Sequence, residues 1–485
     1  ERAFVMLKEA HALLNELDTW MRSLVLDGLD LVAAERQLQE RLNEIGVLAM
    51  RRLLKRADTT APTVFFEGQI WGARREVSHE YFTVFGPVRI ERSSYQRPGG
   101  GKTLVPLDLR LGMVEKRYTP RVARLTSLGI AFMTAGECER YLQEAGIAQV
   151  SKSTISRLPR DMTARYEQRR EAINAALREA EAVPEGATVV QVGLDGVMVP
   201  QDGEHAKPRG RKTAVSAPAR HERHYGASTT AAPCDNDATR GRAWHEASVG
   251  TVSFWDDSGK HLKTIYVGRM PESGMATLHQ ELRLELDQVL LERPDIPVQL
   301  ASDGDAGQWS FLLKLREELE ARGHRVSMIL DFFHAAEYVH RAANAIDGKD
   351  TPEASVRASG WKEVLKAFED GGKRVLKAMR YHRGRLKGAE ERELNVCIGY
   401  LAKHYKQGRM NYARAKADGQ PRGTGTTEAA AKTLVGTRMK RAGARFSQHG
   451  GQTVLTLRAA EKSERFHHFH TVLEETYRGV VKLAA

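Results

Sequence analysis

Cysteine is scarce. Three residues in 485, Cys138, Cys234 and Cys397, lie far apart. That spacing excludes a disulfide framework and a cysteine-built zinc site, and it fits a reducing compartment. Long apolar runs are missing too. The run near 23–32 is broken by Asp27 and Asp30, and none reaches the roughly 18 residues of a membrane span. No basic segment followed by an apolar core opens the chain, so no signal peptide is expected. No tandem repeat is visible. Acids are in deficit, 62 against 74 Lys and Arg, for a net charge of +12. Such an excess favours a polyanionic partner, although an ordinary basic enzyme carries the same signature. The length allows two to four domains with a sizeable core.

Apolar spacing in LLNELDTWMRSLV and RQLQERLNEIGVLAMRRLL predicts a helical arm over 1–62, packed on the body or pairing with another copy. A small β region is expected over 63–118, from TVFFEG, YFTVFGPVRIERSSYQR and TLVPLDLRLG. Within it RPGGGKT resembles the end of a phosphate-binding loop. The required earlier glycine is Gln96, however, and the segment lies between strands, so a hairpin tip is expected. Residues 119–182 read as helices, with a turn near Gly146 and a second helix capped by Ser151 or Ser153. This is the outline of a helix-turn-helix, or of a plain helical hairpin. In the first case Lys152, Ser153, Thr154, Ser156 and Arg157 face DNA.

From 183 to 346 the pattern is three strands, then helix, strand, helix, strand, which is the order of an RNase H-like sheet. A loop over 201–243 interrupts the first hairpin and is rich in base, including Lys207, Arg209, Arg211 and Lys212. It is a solvated insertion or a nucleic-acid arm. A helical insertion is expected over 347–420, before a last core part and C-terminal helices over 421–485.

Three carboxylates stand out. Asp195 sits in QVGLDGVMVP, among residues that make a buried charge costly unless it is paired or binds metal. Gly193 and Gly196 leave room beside it; the bland alternative is a strand-end Asp-Gly turn. Asp303 ends the strand in ASDGDAGQW, at the kind of strand tip where α/β sheets bind ligands. Counted from Asp303, calcium-loop positions 6 and 12 fall on Gln308 and Lys314, where Gly and Glu belong. Asp305 is therefore expected to cap the next helix. Glu428, in GTGTTEAAAKTLVG, follows a flexible approach that Thr426 or Thr427 caps; alone it is an ordinary first-turn acid. Two strand aspartates and a helix glutamate suit two Mg²⁺ ions in phosphodiester chemistry, with Mn²⁺ able to substitute. Lys432, Arg438, Lys440, Arg441 and Arg445 follow with no acid between 429 and 445. That run contacts phosphates or forms a solvated helix face.

With LDGVMV (194–199), LASDGDAGQW (300–309), ILDFFHAAEYVHRAANAI (329–346) and GTGTTEAAAKTLVGTRMKRAGARF (423–446), the chain resembles bacterial insertion-sequence transposases of the DDE type. The likeness lies in the Mutator-like superfamily, nearest the ISKra-type family, and spans nearly the whole chain. It implies that Asp195, Asp303 and Glu428 form the catalytic, metal-binding triad. His334 would orient the site, or be a structural histidine, and Asp331 would support it. The resemblance further implies a bacterial, nucleoid-associated cytoplasmic protein acting on double-stranded DNA without ATP, as a homodimer or higher oligomer. Relatives often carry a Cys-rich knuckle near the first β region; YQRPGGGKT has no cysteine, so no zinc is expected there. Rival expectations are an inactive or domesticated DNA-binding regulator and an RNase H-like nuclease or resolvase.

Overall fold

A computed structural model describes residues 2–25, 27–202 and 242–483. The chain is a mixed α/β protein of two compact units, Glu1–Glu181 with Ala460–Ala485, and Ala182–Ala459. No helix among the described residues is long and apolar enough to cross a membrane.

In the first unit, helices α1 (Arg2–Ser23) and α2 (Leu31–Ala57) pack on one another. Asp30 starts α2 by accepting from the Ala33 N–H at 3.1 Å, which satisfies one of the orphan donors of a helix start. The end of α2 packs Leu54 against Tyr81, Val88, Ile90 and Leu107. The sheet beneath runs β10-β1-β2-β3-β4, from β1 (Thr63–Phe66), β2 (Gln69–Thr83), β3 (Gly86–Gln96), β4 (Thr103–Leu104) and β10 (Lys482–Leu483). Residues 97–102 form the tip between β3 and β4, with Gly99, Gly100 and Gly101 in the left-handed region. No helix follows as a phosphate-binding loop requires. The β reading of TLVPLDLRLG holds only for Thr103–Leu104. Pro106 then opens α3 (Pro106–Arg110), because its ring favours the first helical position.

Helices α4 (Pro120–Phe132), α5 (Ala135–Glu144), α6 (Lys152–Gln168) and α7 (Arg170–Glu179) follow. Thr134 and Glu137 close a capping box on α5. Gly146 turns the chain at φ +63°, and Ser151, not Ser153, caps α6. Within the expected 421–485 segment, Ala460–Ala485 belong to this unit. β10 pairs Val64 with Leu483 and Phe65 with Lys482. Glu474 of α18 (Phe466–Glu475) takes Arg124 through two hydrogen bonds of 3.0 and 2.7 Å.

The second unit is built on a sheet of order β7-β6-β5-β8-β9. Its strands are β5 (Val189–Asp202), β6 (Arg242–Trp255), β7 (His261–Arg269), β8 (Val298–Ser302) and β9 (Val326–Leu330). β5, β6 and β7 are antiparallel, while β8 and β9 run parallel to β5. Helix α8 (Ala276–Glu292) precedes β8, and α9 (Ala306–Ala321) provides the crossover that the parallel pair β8–β9 needs. In α8, Leu278, Leu282 and Leu286 recur every fourth residue and bury against Val190, Val192 and Leu194. Each such leucine contributes about 2 kcal/mol. The helices α10 (Phe332–Asp347), α11 (Pro352–Ala367), α12 (Gly371–Arg383), α13 (Gly388–Lys406) and α14 (Tyr412–Ala417) build a second core around Ala301, Ile329 and Leu330. The chain then returns through α15 (Gly425–Ala430), a π-helical turn (Ala431–Gly436), α16 (Thr437–Met439) and α17 (Gln448–Lys462).

Candidate active site

Side chains alternate across a strand, so β5 presents two faces. Val190, Val192 and Leu194 face the α8–α9 core. Gly193 and Asp195 take the other side. The parallel register pairs Gly193 with Ala301. Continued by two residues, that register sets Asp303 beside Asp195, one residue past the end of β8.

A polar ladder anchors the returning chain on this face. Gln191, Gln299 and Ser327 are paired across β5, β8 and β9. Gln191 donates to Gln299 at 2.8 Å and to the Gly423 carbonyl at 3.1 Å. Gln299 and the Ser327 hydroxyl donate to Gln420 at 3.2 and 3.0 Å. Asp331, 6 % exposed, completes the anchor. It caps α10 by accepting from the His334 N–H at 2.9 Å, and it accepts from the Thr424 N–H and hydroxyl at 2.7 and 3.0 Å. Thr424 is thus held by Asp331, and neither Thr426 nor Thr427 caps α15. Thr427 instead packs down on the sheet, hydrogen-bonded to Thr251 at 2.7 Å. A Cβ at residue 193 would lie 2.1 Å from the Thr427 hydroxyl oxygen, so only glycine lets α15 seat here. Glu428 is the next residue.

The acids brought together act on one another. Asp195 accepts from the Gly196 N–H at 2.7 Å. Its carboxyl is nevertheless raised to about 6, first by burial, then by the negative charges of Asp303, Glu428 and Glu246. Glu246, which no local sequence signal singles out, stands two residues along β6 from Ser248, the partner of Gly196. Its side chain crosses Gly196, where a Cβ would meet the carboxylate tip at 1.5 Å. Lost hydration, then Asp305 and Asp303, push its carboxyl above the ordinary range. The room left by Gly193 and Gly196 is therefore filled by Thr427 and Glu246 respectively.

Asp305 caps α9 from Oδ1, accepting from Gly307 and Gln308 at 2.8 and 3.0 Å. Asp303 is left with two long contacts, the Asp305 N–H at 3.3 Å and the Ser302 hydroxyl at 3.5 Å. Glu428 is exposed and pairs with Lys432, one helical turn on, at 2.7 Å. An all-oxygen donor set with mutually repelling charges suits a hard divalent cation. Among the described residues, though, no three His, Cys, Asp or Glu side chains already stand where they would hold a metal. Of the triad, Glu428 is the member held elsewhere, by Lys432. His334 is half-buried in the first turn of α10, and its imidazole makes no hydrogen bond among the described residues.

Of the basic residues expected to meet DNA, Lys440, Arg441 and Arg445 are exposed, as is Lys432. Arg438 differs: it is 5 % exposed and turned inward. Lys207, Arg209, Arg211 and Lys212 lie outside the described residues. In the first unit, Lys152, Ser153 and Ser156 are exposed on the first turns of α6. Thr154 is half-buried, with its hydroxyl 3.2 Å from that of Ser151. Arg157 forms an ion pair with Glu115 and donates to the Tyr118 hydroxyl at 3.3 Å.

Compared with known proteins, the sequence matches no protein-family model and no curated protein.

Proposed function

We propose that the chain is a DNA transposase of the DDE type, Mutator-like and nearest the ISKra-type family, which cleaves and joins DNA strands at transposon ends. The observation that carries this reading is the register of β5 and β8, the inner strands of the sheet, which sets Asp303 beside Asp195, with Glu428 near enough for its charge to act on Asp195. The strand order supports it, since three antiparallel strands followed by two parallel ones is the order of an RNase H-like core. Asp195 and Asp303, side by side, would hold Mg²⁺, with Mn²⁺ as a substitute, and Glu428 would complete the set on release from Lys432. When bound, such ions activate an attacking hydroxyl and stabilise the leaving oxygen. The chain's own residues do the positioning. The ladder of Gln191, Gln299 and Ser327, with Asp331 and Thr427, sets where Glu428 stands. Lys440, Arg441 and Arg445 offer phosphate contacts, and the start of α6 offers contacts to the inverted repeats. Transesterification conserves bond energy, so no ATP is needed; zinc has no part in this reading, and assembly on two ends calls for at least a dimer.

One observation favours a second reading, a DNA-binding regulator without chemistry: Glu428 is engaged by Lys432. Strand-transfer assays on end-containing DNA with Mg²⁺ separate the readings. Transfer abolished by Asp195→Ala, Asp303→Ala and Glu428→Gln supports the transposase. End binding without nicking supports the regulator, and hydrolysis without joining supports a nuclease or resolvase.

A further inference from the structure

We infer that Tyr400, on α13 of the helical insertion, is the positioning residue that holds the Asp303 loop ready for a divalent cation. This inference rests on the metal-site reading above. After β8 the chain turns sharply through Gly304 at φ +118°, a conformation that suits glycine. A Cβ there would lie 2.2 Å from the Tyr400 hydroxyl oxygen and 3.1 Å from its Cζ. The loop is thus closed down onto the tyrosine. The Tyr400 hydroxyl donates to the Asp303 carbonyl at 2.9 Å.

The ring itself is fixed from behind. It stacks on Tyr338 of α10 at 3.7 Å and 7°, and His404 tilts against it at 4.6 Å. Trp309, on α9 just past the loop, stands 6.1 Å from His404 and is covered by the Arg409 guanidinium at 3.6 Å. The backbone of residue 303 is therefore clamped while its carboxylate keeps only contacts of 3.3 and 3.5 Å. A held backbone with a free carboxylate is what a preorganised ligand needs. The helical insertion thereby acquires a role in the site, because α13 closes a loop formed about a hundred residues earlier in the chain.

Tyr400→Phe removes the O–H donor and keeps the stack. The test titrates the full-length protein with Mn²⁺, reading free Mn²⁺ by its paramagnetic resonance, and measures amide hydrogen exchange at 304–305. In parallel, nicking of end-containing DNA is measured against metal concentration. Loss of one hydrogen bond should raise the half-saturating Mn²⁺ about three- to tenfold. Exchange at 304–305 should quicken, and the nicking rate at saturating metal should stay within about twofold. Gly304→Ala should reproduce the Mn²⁺ shift. Unchanged Mn²⁺ affinity and exchange in Tyr400→Phe would overturn the clamp and leave the proposed function standing. So would a lower maximal rate at an unmoved half-saturation, the signature of a merely structural role. A Mn²⁺ shift in a protein that never nicks DNA would support the clamp and overturn the transposase. A wild type that binds no Mn²⁺ would overturn both.

Discussion

Replacing Asp195 by Asn removes one negative charge from the most crowded point of the carboxylate cluster. In the folded protein the Asp195 carboxyl is raised from its ordinary 3.8 to about 6, by burial and then by Asp303, Glu428 and Glu246. Between those two values the folded state binds the proton more tightly than the unfolded chain does. Wild-type stability therefore falls as pH rises from about 4 to about 6, then levels off with the full penalty of an ionised Asp195 in place. At 1.36 kcal/mol per unit, the ceiling of that penalty is roughly 3 kcal/mol. Asn avoids it and keeps an oxygen that can accept from Gly196. Partial solvent access lowers the expected gain to about 1–3 kcal/mol at pH 7.5, with none at pH 4. Urea unfolding from pH 4 to 8, with hydrogen exchange of β5 amides to isolate the second unit, measures it. Mg²⁺ should narrow the gap by stabilising wild type alone, about 2.7 kcal/mol at a hundred times its dissociation constant. Strand cleavage should be lost in the stabilised variant. A variant less stable than wild type at pH 7.5, or equally stabilised at pH 4 and 7.5, would refute this electrostatic account.

Gly193→Ala should destabilise by about 1–3 kcal/mol through the clash with Thr427 and abolish cleavage; a double-mutant cycle with Thr427→Ala should recover part of both. Gly196→Ala should be far milder, because it meets only the movable end of Glu246. Asp331→Asn should weaken the hold on Thr424, costing about 1–3 kcal/mol and most of the cleavage, while the Mn²⁺ stoichiometry stays unchanged. A lost Mn²⁺ ion in that variant would make Asp331 a ligand instead. Lys432→Gln should leave thermal stability within about 0.5 kcal/mol, because the pair is exposed. It should tighten Mn²⁺ binding by freeing Glu428, and a titration showing weaker binding would refute the competition. For DNA, Lys152→Ala should lower affinity for end DNA and its salt dependence, whereas Arg157→Ala should chiefly lower stability, since Glu115 already holds that side chain.

Much of this site was legible in the residues. The cost of Asp195 on an apolar strand, the place of Asp303 at a strand tip, the cap at Asp305 and the glycines beside Asp195 all follow from local chemistry. Those effects depend on the burial, period and backbone freedom of a few adjacent residues. Glu246 was not legible, because an acid at the exposed start of a strand looks like any solvated glutamate until β6 pairs with β5. Gln191, Gln299 and Ser327 did carry a signal, amides and a hydroxyl in strands otherwise apolar, but only strand register shows that they line up and take hold of residues 420–423. Arg157 and Arg438 both read as free surface base until the fold paired the exposed Arg157 with Glu115 and turned Arg438 inward. The C-terminal strand was hidden for a related reason: two residues, Lys482 and Leu483, carry no period, and only pairing with β1 makes them a strand. The sequence by itself determined which residues could bear charge, bend or cap, since these depend on neighbours within a turn or two. The tertiary structure decided which of them act together, because the Tyr400 bond to Asp303 and the charges of Asp303 and Glu428 felt by Asp195 depend on register and packing across more than two hundred residues of chain.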